Sequence, residues 1–126
     1  MKTSYFGNLR NIKVPLSISQ YPPEWYDGPE LKMLAPPRDL LKAAHNGLSH
    51  EDYTRIYKEQ VLSKIDPREL YDAIIEEYGD EVMLLCFEKP GDFCHRRLVA
   101  EWFQENLNIE VAEWIKPSKI RSTLSF

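Results

Sequence analysis

The chain has only two cysteines among its 126 residues, and they do not form a Cys-x-x-Cys pair. A disulfide framework is therefore not expected, and a reducing cytoplasmic setting is. Long apolar runs are missing too. The longest, Val82–Phe87, falls far short of the ~20 residues that span a membrane, and no N-terminal segment reads as a signal peptide. Glycine is scarce at five residues, and none falls in a dinucleotide-binding fingerprint or a Walker A loop. Positive charge is not in excess: the net charge of −4 gives no global pull toward nucleic acid or anionic membrane. There is no internal repeat.

What is present is an ordinary globular composition, 43% hydrophobic with three tryptophans. The length suits a single domain, placed at residues 1–115. Residues 116–126 follow as a basic tail carrying Lys116, Lys119 and Arg121 and no acid. Residues 51–92 lean the other way, with twelve acidic residues against five basic ones. That imbalance reads as a solvated helical face.

Two short strands are expected first, Thr3–Phe6 and Lys13–Ser19, the second apolar at alternate positions. The connection between them is too short for a full crossover helix, so their pairing stays open. Residues 20–37 contain five prolines and no helical or strand period, and read as a packed lid. Three helices follow. Arg38–Asn46 stops at Gly47; a second is capped by Ser49 and runs to about Lys64; a third opens with Asp66-Pro67 and closes at Gly79. Glu81–Glu88, nearly continuous in apolar residues, reads as a strand covered on both faces. A helix from Cys94 and a final strand in "IEVAEWI" complete a strand–helix–strand unit and imply a parallel sheet. The fold expected is α/β, a Rossmann-like three-layer arrangement of a small, mostly parallel sheet flanked by helices.

The chemistry concentrates in "LLCFEKPGDFCHRRLVAEWF". Ligands of open parallel sheets bind beyond the carboxyl ends of the strands, here at Lys89–Phe93, where the next helix presents unpaired N–H groups and a positive dipole end. At about 100° per residue, Leu98, Val99, Trp102 and Phe103 centre the apolar face near His95. Arg96 lies on its border and Arg97 points to solvent. His95 and Arg96 are therefore site candidates, and Cys94 joins them because a helix N-terminus and nearby cations favour a thiolate. Cys86 reads as core. A Cys-x5-Arg phosphatase loop fails because position 100 is alanine. A zinc site from Cys86, Cys94 and His95 lacks the usual paired spacing and a fourth ligand, so no metal is expected.

This segment resembles the signature of the small proteins of domain-of-unknown-function family 488, in which a strand ending Cys-x-Glu precedes a Cys-His-Arg helix start. "TSYF", "SIS", "P-x-WY-x-G" and "LAP" recur in the same order in a subgroup of that family. The resemblance implies a Rossmann-like parallel sheet and no particular activity. It also implies that strand ends meet on one rim. Phe6, Asn8, Ser17, Ser19, Trp25 and Tyr26 then join Arg96 as candidate ligand-binding residues, and Glu88 joins Cys94 and His95 as a candidate catalytic group that positions the imidazole.

The function expected on this basis is binding of an anionic small molecule, such as a nucleotide or sugar phosphate, at the turn around Cys94–Arg96, with chemistry at Cys94 and His95. Trp25 and Tyr26 would stack on a base or sugar. Two readings from other classes stay open: a non-enzymatic domain that senses or sequesters such a ligand, and a nucleic-acid accessory protein using the basic tail. No membrane partner is expected, and neither cofactor nor oligomeric state is specified.

Overall fold

A computed structural model describes residues 1–88 and 93–117. Most of the loop expected at residues 89–93, and the tail beyond residue 117, lie outside the described residues. The architecture is α/β, with a three-stranded, fully parallel sheet flanked by helices. Strand β1 is Lys2–Tyr5, β2 is Val14–Ser17 and β3 is Val82–Cys86, in the spatial order β1-β3-β2. Both early strands pair with β3, Thr3 opposite Leu84 on one side and Leu16 opposite Leu84 on the other. This answers the open pairing question. A 3-10 helix, Phe6–Asn11, spaces β1 from β2 so that β3 can insert between them.

The helices form where their ends are chemically marked. Helix α1 is Arg38–His45 and α2 is His50–Gln60, with Ser49 accepting from the Asp52 N–H. Helix α3 is Pro67–Tyr78; Asp66 accepts from the Arg68 and Glu69 N–H groups, satisfying two of the four donors a helix start leaves unpaired. Gly79 ends α3 with φ of 86°, a conformation that glycine adopts without steric cost. Helix α4 is His95–Leu107. The second helix stops four residues before the expected Lys64, and a separate 3-10 turn over Leu62–Lys64 takes up the remainder.

Side chains alternate across a strand, so the sheet has two distinct faces. Leu16, Val82 and Leu84 face the α-helices and pack with Leu98, Val99, Phe103, Tyr57 and Ile74 in the larger core. On the other face Leu85 packs with Phe6, Ile12 and Tyr26, drawn from the 3-10 helix and the proline-rich segment. The lid-like segment thus spends much of its apolar weight beneath the sheet.

The expected last strand shrinks to a single parallel bridge, Thr3 to Glu113, beside β1. The Thr3 N–H donates to Ala112 O, and the Trp114 N–H donates to Thr3 O. The opposite edge is closed in the same way: Ser17 bridges Glu30, its N–H donating to Pro29 O and its carbonyl accepting from the Leu31 N–H. Among the described residues no helix is long and apolar enough to cross a membrane.

Candidate functional site

Beyond the carboxyl ends of β2 and β3 lies a cavity of about 650 Å³. Ser19–Tyr21 and Cys86–Glu88 form its sheet side, Cys94 and His95 its floor, and Ala44, His45, His50 and Tyr53 its helical wall. All three histidines of the chain line it. Phe93 stacks on His50 with ring centroids 4.1 Å apart and meets Tyr53 edge-on, which gives this wall a flat aromatic surface. At the mouth the Arg38 guanidinium lies 6.0 Å from the centroid of the exposed Tyr21 ring.

Helix α4 begins at this floor. Cys94 occupies the cap position in extended geometry, no described side chain caps the helix, and its first turn contains no acid. His95, the first helical residue, is only 6% exposed. Its Nε2 lies 2.7 Å from Ile18 O. A carbonyl oxygen can only accept, so Nε2 carries the proton. Burial lowers the imidazole pKa from 6.5 to about 4, with Arg96 adding to the effect and the Ile18 hydrogen bond opposing it. The ring is therefore neutral near pH 7, and the Nδ1 lone pair is left facing Cys94 Sγ at 3.8 Å. The Ile18 carbonyl, not Glu88, fixes the tautomer. Tyr57 packs edge-on against the ring, and its hydroxyl is held by Leu34 O.

Cys86 and Cys94 are joined as a disulfide across the β3–α4 turn, their Cα atoms 7.4 Å apart. The expectation of no disulfide is overturned by this bridge, while Cys86 is buried as expected, at 1% exposure. Both residues are buried, but their sulfurs meet at the cavity floor. Two residues adjacent at the ends of consecutive elements can touch without any sequence pattern announcing it.

Arg96 is also placed differently from the expectation. It is 3% exposed and turned away from the cavity. Its Nε and Nη2 donate to the two Glu113 oxygens at 3.0 and 2.9 Å, and Nη1 donates to Cys86 Sγ at 3.1 Å. The Thr3 hydroxyl donates to the same carboxylate. With both prongs of its fork occupied, Arg96 locks α4 to the chain after it and supports a sulfur. It is not free to grip a ligand. Arg97 points to solvent and pairs with Glu101 one turn on.

The remaining candidates divide between the two faces. Ser19 and Glu88 line the cavity, Glu88 from an exposed position. Ser17 lies on the opposite face, opposite Leu85, and its hydroxyl accepts from the Ser19 N–H. Asn8 is buried and donates to Ser4 Oγ. Phe6 and Tyr26 pack together there, Tyr26 donating to Pro29 O, while Trp25 meets the edge of Phe6 and is 62% exposed. None of these last five lines the cavity. Phe87 also links the two groups, lining the cavity and lying 5.3 Å from the Phe6 ring.

Sequence reasoning passed over His45, His50, Tyr53 and Phe93. Tyr53 and His50 share the first turn of a well-capped amphipathic helix, where an aromatic at core spacing carries no functional signal. Two histidines five residues apart across Gly47 were the available hint. Neither a curated protein nor a solved structure matches the chain. The family model described as the active DUF488-N3 subclade matches residues 9–107, a span that includes the cavity walls and the Cys-His-Arg helix start, and the chain belongs to that DUF488 family.

Proposed function

We propose that the cavity binds a small molecule whose anionic group sits at the start of α4 and whose planar part lies against the Phe93–His50–Tyr53 wall. The observation that carries this reading is the floor itself: the N-terminus of a thirteen-residue helix, capped by no described side chain, opening into a cavity of about 650 Å³. Unpaired N–H groups and the positive end of the helix dipole favour an anion there. A volume of this size suits a nucleotide or sugar phosphate. Arg38 supplies further positive charge at the mouth, in place of Arg96.

Any chemistry would begin at Cys94 and His95. With the disulfide opened, Cys94 is a thiol at a helix N-terminus beside the lone pair of a neutral imidazole, and that lone pair can accept the thiol proton. Glu88 is near enough to the cavity to act on bound ligand, not on the buried ring.

The test is a thermal-shift screen against nucleotides, sugar phosphates, inorganic phosphate and sulfate, with wild type and His50→Glu run together. A ligand at a hundred times its Kd adds about 2.7 kcal/mol to stability, on the order of 10 °C in Tm. His50 is exposed in the first turn of α2, where a carboxylate is well tolerated, so the unliganded Tm of the variant should stay within about 2 °C. The anion-dependent shift should fall sharply, because the new carboxylate faces the cavity. A shift unchanged by His50→Glu, or no shift from any anion, rejects an anion in this cavity.

A further inference from the structure

Sγ of Cys86, Sγ of Cys94 and a ring nitrogen of His95 lie within 4.8 Å of one another, all three buried. We propose that in the reduced protein these three side chains bind a zinc-class divalent cation, with its fourth coordination position facing the cavity. Along the chain Cys86, Cys94 and His95 lack the paired order of the common zinc motifs. The fold brings them together irrespective of that order, because Cys86 ends β3 and Cys94 and His95 begin α4.

The surroundings match what a metal site needs. Metal-bound histidines almost always donate their second ring N–H to a carbonyl or carboxylate, which frees the other nitrogen to ligate. Here Nε2 is engaged by Ile18 O and Nδ1 faces the sulfurs. Metal-bound thiolates need hydrogen-bond support, and Arg96 Nη1 donates to Cys86 Sγ. Glu113 balances the arginine charge, so two thiolates and one divalent ion leave the pocket close to neutral. Three protein ligands with an open fourth position is the pattern of reactive zinc centres rather than closed structural ones. The open position borders the cavity because all three ligands line it.

The disulfide and the metal site are alternatives for the same two sulfurs. Bridged cysteines usually hold their Cα atoms roughly 4.4–6.8 Å apart, so a separation of 7.4 Å leaves room for the sulfurs to part around an ion. Opening the bridge takes two electrons and two protons, supplied by a phosphine or dithiol reductant. Binding the ion then releases both thiol protons to solvent.

The experiment is a Co(II) titration of the full chain, reduced with a phosphine and stripped of metal, in a non-coordinating buffer free of phosphate and sulfate. One Co(II) per chain should bind, with a near-ultraviolet thiolate-to-cobalt charge-transfer band and the strong visible bands of a tetrahedral site, and zinc should displace it. Cys94→Ser, checked for folding by circular dichroism, should lose about half of the charge-transfer intensity and bind at least tenfold more weakly. Because His95→Gln alters a buried hydrogen bond, the third ligand is read on wild type, by the shift of its imidazole NMR signals on zinc binding. Zinc should also protect both thiols of the reduced wild type from a thiol reagent. A reduced chain with no charge-transfer band and thiols equally reactive with and without zinc overturns the site. So does Co(II) binding unchanged in Cys94→Ser. The titration contains no anionic ligand, so its failure is distinct from failure of the anion screen.

Discussion

The two faces of the sheet share β3 but are built differently. On the helical face four α-helices cover Leu84 and Leu16 with a continuous apolar core, and the chemistry-bearing side chains emerge at its upper end. On the other face a 3-10 helix and a proline-rich segment cover Leu85 with a small aromatic cluster whose outer members, Trp25 and Phe87, stay exposed. A thick, cooperative layer can hold a buried imidazole and a buried arginine in fixed geometry. A thin one cannot, and it carries no ionisable group in its core cluster except the Tyr26 phenol. Burial pushes that phenol further up, out of the physiological range.

The comparison is sharpest in substitutions of matched chemistry. Phe103→Ala, in the centre of the helical face with no exposure, should cost about 4 kcal/mol by urea unfolding. Phe6→Ala should cost about 2 kcal/mol, because its half-open neighbours can close over the gap. Equal costs would show the thin layer to be as consolidated as the thick one. Arg96→Ala should cost about 3 kcal/mol, since it removes a buried guanidinium from a doubly hydrogen-bonded, partly buried pair and unsupports Cys86. Its neighbour Arg97→Ala, an exposed pair with Glu101, should cost under about 0.5 kcal/mol.

A pH prediction follows from His95. Its folded pKa of about 4 lies below the unfolded 6.5, so between these values the unfolded chain binds the extra proton. Stability should be level above pH ~6.5, fall by about 3 kcal/mol as the pH drops toward 4, and gain no further loss from this group below that. His95→Gln should flatten the slope in that window; an unchanged slope would assign the acid sensitivity elsewhere. The smallest effect belongs to Trp25→Ala, within about 0.5 kcal/mol, because the indole is mostly in water already.

Local signals predicted local structure well. Ser49, Asp66-Pro67 and Gly79 mark helix ends by hydrogen bonding and backbone conformation that need no distant partner, and they mark them within a residue or two. The apolar stripe of α4 placed His95 inward for the same reason. What depended on distant partners was harder to read. Arg96 sits on the border of that stripe, and only Glu113, seventeen residues away, decides that it turns inward. Trp25 and Tyr26 share a segment with Tyr21, yet the bridge at Glu30 carries them to the opposite face, and no periodicity in a proline-rich stretch predicts that. "IEVAEWI" has the alternation of a strand, but only Thr3 offers it a partner.

The closed edges of the sheet have one more consequence. In a parallel strand, alternate residues turn both backbone groups to the same side. On β2 the outward positions are Pro15, which has no N–H to offer, and Ser17, whose N–H and carbonyl are both taken by Pro29 and Leu31. On β1 Thr3 is taken in the same way by Ala112 and Trp114, and the chain leaves for its 3-10 helix directly after Tyr5. An intruding strand from another copy of the chain would find almost nothing to bond. A sheet of three short strands is thereby protected against edge-to-edge aggregation, and truncating the chain before Ala112 would expose the β1 edge.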